Sequence, residues 1–481
     1  MDVRRPLCPE LTVSWIFACD ASNPIGQNNR KLRECPQRRH GTEGIPIDKT
    51  LTGTGQVHQR WRIAWLLALG IMISYLDRVN ISVGQQALHQ RFGLTTVGFG
   101  YFLGAYSWTY AMLQLPSGVL LDRFGLRRVG IVSSFIWSAA TVATAASQNI
   151  ASLFSSRLLL GVGESPIFPL SAAAVARWFP EKERGLPTAM FDAAAKFSPA
   201  VGIPFVGLLL IHFGWRFSFA FTGVLSLLYF AVFAQIYRDP VEEPPVSDAR
   251  RAYMHSDAAI ATERAPGGSY PLLHLLRQRK ILGATIGFAT YNYSFYLLLT
   301  WLPSYAVAGL HLTLTHAVWA ASVPWFIAGA IDILVGGWLV DALIRAGHNA
   351  AQVRRRVLLL GMICGLGVAG PAFTHHATPA LVSLCIGLGG LSAAAPVGWT
   401  LPGILVPTSS TGKVGGIMNF GSQISAILAP VITGYLTSWT HTFAAAFALA
   451  AFLLLLGTLS YAFLLGKIER IDSSRLDAIQ L

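Results

Sequence analysis

The chain has 481 residues, 53% of them hydrophobic and only 12% charged, roughly half the charged share of a soluble domain. That composition excludes a soluble enzyme, a disordered chain and a disulfide scaffold. Cys8, Cys19, Cys35, Cys364 and Cys385 show no CxxC or Cys/His ligand spacing, so neither a metal site nor a redox pair is expected, and no cofactor. The net charge of +13 sits in short loops, which points to a membrane protein with basic cytoplasmic loops and not to a nucleic-acid partner.

The first 58 residues are polar and basic and rich in turn formers. The run Leu11–Cys19 is too short for a signal core and has acidic Asp2 and Glu10 beside it, so 1–58 reads as a disordered cytoplasmic tail. Twelve stretches of about 20 mostly apolar residues follow, the length a spanning helix needs. They lie at roughly 61–85, 97–120, 129–147, 152–177, 186–210, 217–237, 281–306, 316–343, 356–373, 379–404, 413–436 and 443–466. Basic residues alternate between the loops. Arg123, Arg127 and Arg128 follow span two, Arg177, Lys182 and Arg184 follow span four, and Arg345, Arg354, Arg355 and Arg356 follow span eight. The opposite loops hold mainly Arg91, Arg216 and histidines such as His311, His375, His376 and His441. Both termini are therefore expected in the cytoplasm. The polar stretch 238–280 reads as a linker between six-helix halves 59–237 and 281–466, with 467–481 a cytoplasmic tail. Gly118-Val-Leu-Leu-Asp122 at the end of span two is echoed by Gly337-Trp-Leu-Val-Asp341 about 220 residues later, as two parallel repeats require.

Charges inside spans are costly and usually face an interior or a water-filled cavity. Span one carries Tyr75-Leu-Asp77-Arg78-Val-Asn80. Neighbours on a helix point about 100° apart, so one of Asp77 and Arg78 is expected to face a cavity and the other a neighbouring helix. The planar fork of Arg78 suits a carboxylate, and its permanent charge cannot carry an exchangeable proton. Span four carries Arg157 and Glu164, seven residues apart on one face, just before Ser165-Pro166. They form either a permanent bridge or a pair whose separation changes the proton affinity of Glu164. Span five carries Asp192 and Lys196, an i,i+4 pair that either neutralises itself or leaves Lys196 to hold an anion. Asp332 in span eight is a partner for a cation or a further protonatable group. Tyr291-Asn292-Tyr293 in span seven, Trp399 and Pro402 in span ten, and Gly415-Gly416-Ile-Met-Asn419 in span eleven offer hydrogen bonds or surface at cavity depth. Trp301-Leu-Pro303 reads as an interfacial aromatic belt with a kink.

The loop Gly118-Val-Leu-Leu-Asp122-Arg123-Phe-Gly125-Leu-Arg127-Arg128 resembles the signature of the major facilitator superfamily. The implied fold is all-α and membrane-spanning: twelve transmembrane helices in two pseudo-symmetric six-helix bundles. In that family the loop gates the cytoplasmic side, with Asp122 pairing with basic groups and Asp341 its degraded counterpart. More narrowly, residues 60–465 resemble the anion:cation symporter family through the span-one motif, Tyr110 with Gln114-Leu-Pro116, Arg157-Leu-Leu-Leu-Gly161-Val-Gly-Glu164-Ser-Pro166, Trp178-Phe-Pro180 with Glu183-Arg184-Gly185, Thr300-Trp-Leu-Pro303, and Gly415-Gly416-Ile-Met-Asn419. The resemblance implies that Arg78 binds a substrate carboxylate, that Asp77 and Glu164 are proton-linked acids with Arg157 in their network, and that Tyr75, Tyr110 and Asn419 line the cavity. Lys196, where sugar-acid members tend to have a small polar residue or Gln, is a departure that suits a dicarboxylate or alters hydroxyl contacts. The expected function is import of an organic anion, a sugar acid foremost, by proton symport with alternating access, from a monomer in the inner (plasma) membrane. Import of an aromatic or dicarboxylic acid, a proton/drug antiporter and a transporter-like sensor are the alternatives.

Overall fold

The computed structural model describes residues 54–179, 185–238, 270–374 and 376–471. The expectations for the tail up to 53, for linker residues 239–269, for Lys182, Glu183, Arg184 and His375, and for 472–481 lie outside these residues.

Twelve long helical segments run up and down in sequence. The first four are α1 (Thr54–Val83), α2 (Thr96–Phe124), α3 (Leu126–Ala146) and α4 (Ile150–Trp178). Helical hydrogen bonding then continues through Gly185–Ile236, but Gly214 sits at φ 78°, which turns the chain back and divides this stretch into α5 (185–213) and α6 (215–236). The second six are α7 (Arg279–Ala308), α8 (Leu314–Arg345), α9 (Ala350–Ala372), α10 (Ala377–Leu405), α11 (Thr408–Thr440) and α12 (Ala444–Leu465). Local sequence sets the ends. Thr95, Asn149, Thr313 and Asn349 cap α2, α4, α8 and α9 by accepting from backbone N–H groups three residues on, and Asn149 with Ser152 forms a reciprocal capping box. Gly125, at φ 83°, makes the tight turn from α2 to α3, a conformation disfavoured by any Cβ.

Among the described residues nine segments are long and apolar enough to cross a bilayer by length and composition alone; one of them contains both α5 and α6. The two missing from that set, α2 and α7, are the ones rich in Tyr, Ser, Thr, Asn and Trp. Their polar groups point into the protein: Tyr106, Ser107, Tyr110, Asn292, Ser294 and Tyr296 are all buried.

Within the first half α1 packs along α5 and α6, and α3 along α4 and α6; within the second, α7 packs on α10 and α12, and α10 on α8 and α9. The halves meet through α2 against α11, α5 against α8 and α1 against α7. These seams are tight at one end only. A methyl on Gly100 would lie 2.7 Å from the Pro430 carbonyl, and one on Gly207 2.5 Å from Val318. Trp301 of α7 meets Phe99 of α2 edge-on at 6.0 Å between ring centroids, and Ser304 of α7 meets Gln85, just after α1. At the other end, which bears Arg123, Arg127, Arg128 and Arg354–Arg356, the space beside Gly118, Gly403, Gly412, Gly415 and Gly416 is open. The two bundles are thus closed at the end opposite the basic loops and parted at the basic end. Trp301 is 1% exposed, so the expected interfacial belt is instead a packed position: its N–H donates to the Pro430 carbonyl of α11 within the second half, and its ring meets Phe99 of α2 edge-on across the seam.

Candidate functional site

Two acidic and two basic side chains gather in the first half, and the way α4 is built explains how. Pro166 has no N–H, so the Val162 carbonyl loses its helical partner. The Ser165 hydroxyl takes that place at 3.0 Å, and Ser133 from α3 donates to the next carbonyl, Gly163, at 2.5 Å. Gly161 and Gly163 let α4 approach its neighbours closely: a Cβ at Gly163 would lie 2.5 Å from the Trp137 backbone nitrogen, and Thr109 of α2 donates to the Leu158 carbonyl at 2.7 Å. Glu164, the last residue before this interruption, is fully buried as a result.

Its partner comes from α1. Arg78 donates to Glu164 Oε2 through Nε at 3.2 Å and Nη2 at 2.8 Å. Three aromatic faces hold the guanidinium: Tyr75 at 4.2 Å, Tyr106 at 4.6 Å and Tyr110 at 5.6 Å from ring centroid to Cζ. Asp77, one residue back, points the other way. Its Oδ2 accepts from Thr141 of α3 at 3.0 Å and Ser226 of α6 at 3.1 Å, while Oδ1 has no hydrogen-bond partner. Asn80 is likewise used inside the first half, donating to Thr222 at 2.9 Å and accepting from Ser218 at 3.0 Å.

Arg78 also lines a small cavity of about 20 Å³ between the halves. Tyr106, Ser107 and Arg157 face it from the first half, Tyr296 and Thr300 from the second. Arg157 is 3% exposed, and its Nε and Nη1 have no hydrogen-bond partner. Of the two alternatives for Arg157 and Glu164, the permanent bridge is absent: residues seven apart are displaced by about 10 Å along a helix, too far for direct contact in straight rotamers, and Arg78 reaches Glu164 from the side. The cavity therefore holds one guanidinium already paired with a carboxylate and a second with free donors.

A further charged group lies on the α5–α8 seam. Lys196 Nζ is 2.5 Å from Asp192 Oδ2 and 3.4 Å from Asp332 Oδ1. Both sequence readings of Lys196 as a two-residue matter are incomplete, since the third member comes from the other half. Asn292 turns its amide back on its own helix, donating to the Phe288 carbonyl at 2.8 Å. Trp399 lies edge-on to Phe288 at 4.8 Å, and Asn419 is half-buried; none of these three lines the cavity beside Arg78. Of the loop residues, Arg127 donates to the Ala234 carbonyl at 3.2 Å. Asp122 and Asp341 are exposed and in no ion pair among the described residues, at an end where the halves are apart. Sequence reasoning missed Tyr106, Tyr296 and Thr300. Tyr106 lies one turn before Tyr110 on the same face of α2, and that i,i+4 spacing was the available signal.

A sequence model of the Major Facilitator Superfamily matches residues 67–430. The chain belongs to that superfamily. It is a multi-pass membrane transporter with twelve spanning helices in two bundles, and not an enzyme. It is 39% identical over 416 residues to the uncharacterized transporter YybO of Bacillus subtilis (strain 168), covering 86% of this chain and 96% of that one. It is 29% identical over 431 residues to the probable galactarate/D-glucarate transporter GarP of Escherichia coli (strain K12), covering 86% and 97%. It is 31% identical over 408 residues to a probable L-galactonate transporter of the same organism, covering 84% and 88%. Among solved structures, a bacterial homolog of the human lysosomal transporter Spinster, inward-facing and unoccupied, shares the fold with a TM-score of 0.66 at 16% identity, over 85% of this chain and 97% of that one.

Proposed function

We propose that the protein imports a small organic anion of the sugar-acid class together with protons, by alternating access. The observation that carries this reading is Arg78: a buried cation between the halves, held on three tyrosine faces and tied to a single carboxylate oxygen. A proton on Glu164 removes the charge that holds the guanidinium. A substrate carboxylate then takes the place of Glu164, accepting the forked N–H groups. Tyr296 and Thr300 present oxygens from the other half, which suits the hydroxyls of a polyhydroxy acid. The relatives named for galactarate, glucarate and galactonate transport support the same class of cargo.

The positive-inside rule assigns the basic loops to the cytoplasm, with both termini there and the chain in the inner membrane; the parted end then faces inward. Residues 59–237 and 281–466 are the two rocking bundles, 238–280 their linker, and one chain holds a whole pathway as a monomer. Asp122 and its basic neighbours pair when the cytoplasmic ends close. Moving an anion into a negative-inside cell costs about 2.3 kcal/mol per charge per 100 mV. One proton on Glu164 cancels that term for a monoanion, and a second on Asp77 makes the voltage assist.

Reconstituted into proteoliposomes with an imposed pH gradient, the protein is expected to accumulate galactarate, glucarate or galactonate. Glu164→Gln should lose gradient-driven accumulation while keeping substrate exchange. Full accumulation by that variant would refute the role of Glu164.

A further inference from the structure

The Lys196 group has one feature the proposed cycle does not use: it contains two carboxylates for one ammonium, in a place almost closed to water. The side chains of Lys196, Asp332 and Asp192 are 3%, 4% and 17% exposed. If both acids were ionised, the group would carry a net negative charge in apolar surroundings, which is strongly disfavoured. Lys196 and Asp192 form a complete i,i+4 pair on α5, with a direct hydrogen bond. Asp332, reaching across from α8, contacts the ammonium at 3.4 Å, yet its Oδ1 makes no hydrogen bond. It is the surplus acid. The remaining titratable groups facing the triad are Tyr291 of α7, within electrostatic reach of all three members, and Tyr75 of α1, within reach of Lys196 and Asp192. Neither adds a positive charge.

The position is also distinctive. The α5–α8 seam joins the two halves, and Gly329 of α8 lies against Phe197 of α5 one residue beyond Lys196. Asp332 opens a π-helical stretch, Asp332–Leu339, which interrupts α8. Such insertions are common at functional positions. Asp192, the member with the most exposed surface, gives water access to the group.

We propose that the triad is an additional proton-binding site of the transport cycle, filled when the α5–α8 seam is closed and emptied when it parts. With the seam closed, one proton on Asp332 neutralises the group. When the parting that begins at the basic end reaches this level, Lys196 stays paired with Asp192, and Asp332 gains water from the cytoplasmic side and releases the proton inward as H⁺. Nothing else is bound or broken. This inference rests on the proton-symport reading above, and it spreads ion binding to the second half, which otherwise holds none.

The charge count gives a sharp test. Asp332→Asn and Asp192→Asn each leave one acid and one base, so both should remove one proton per cycle, although only the first breaks the bridge between halves. In proteoliposomes with galactarate at a gradient of one pH unit and zero membrane potential, the limiting accumulation ratio should fall about tenfold in each variant, since each coupled proton contributes a factor of ten. A structural bridge alone would make only Asp332→Asn defective and would leave the ratio unchanged. Infrared spectra of the purified protein without substrate give a second readout: the wild type should show a buried carboxylic-acid C=O band that both variants lose. Retention of the ratio and the band by either folded variant would overturn the proposal. Wild-type protein that accumulates galactarate without regard to pH would overturn the symport reading itself.

Discussion

Removing Arg78 should destabilise the protein chiefly by stranding Glu164, and that cause can be separated from loss of packing. Glu164 is fully buried, and Arg78 supplies both hydrogen bonds to Oε2, at 3.2 and 2.8 Å. Its Oε1 has no hydrogen-bond partner. Taking away one member of such a pair typically costs about 3–5 kcal/mol, because the survivor is a buried charge without compensation. Arg78→Ala should show that loss. Glu164→Gln should be milder, since the guanidinium keeps its three tyrosine faces, worth up to about 2 kcal/mol where water is excluded. The double variant Arg78→Ala/Glu164→Gln has the same missing guanidinium as Arg78→Ala but no stranded charge. It should recover about 2 kcal/mol or more, and the difference between the two isolates the electrostatic part. Thermal unfolding of the detergent-purified proteins at neutral pH measures the order. A double variant that melts no higher than Arg78→Ala would mean that Glu164 is not a stranded charge, and the release of Arg78 by protonation would lose its basis.

Other outcomes follow from the packing and the seams. Tyr75→Phe keeps the ring under Arg78 and should transport normally, whereas Tyr75→Leu, losing about 1–2 kcal/mol of cation–π interaction, should raise the apparent KM for uptake roughly 5- to 30-fold. Gly163→Ala puts a methyl 2.5 Å from the Trp137 backbone and should cost about 1–3 kcal/mol in thermal unfolding, while Gly118→Ala, which meets open space, should melt like the wild type. Cysteines replacing Gln85 and Ser304 in a cysteine-free background should cross-link readily, abolish uptake when oxidised and restore it on reduction. Full-rate transport by the cross-linked protein would exclude opening at that end.

The fold was legible because a spanning helix needs a long apolar run, and almost nothing else in a polypeptide resembles one. The reading of 186–210 and 217–237 as separate spans rested on the polar break between them, and Gly214 supplies the backbone reversal there. The site was legible as an inventory but not as a set of pairs. Helical spacing relates residues on one helix, so it could align Arg157 with Glu164 and Asp192 with Lys196. It carries no information about what arrives from another helix. The competing partners, Arg78 for Glu164 and Asp332 for Lys196, are 86 and 136 residues away in sequence. The same limit hid Trp301, whose burial depends on α11 lying against α7.

The distribution of these pairs over the two halves bears on how binding drives motion. Arg78–Glu164, the Asp77 hydrogen bonds and the Asn80 hydrogen bonds all join helices within the first half, so a rigid rocking of the bundles leaves them intact. They can hold an anion, but they cannot distinguish one arrangement of the halves from the other. A ligand shifts such an equilibrium only through contacts that differ between the two states. The cargo must therefore touch both bundles, and the cavity offers that through Arg78 and Arg157 on one wall and Tyr296 and Thr300 on the other. An anion long enough to reach Thr300 from Arg78 favours closure around itself, while one that only satisfies Arg78 binds without promoting it. Lys196–Asp332 is the ion pair among the described residues that spans the two halves, so its charge state acts on the same equilibrium from outside the cavity. Chain length in a series of carboxylates should thus affect turnover more strongly than affinity.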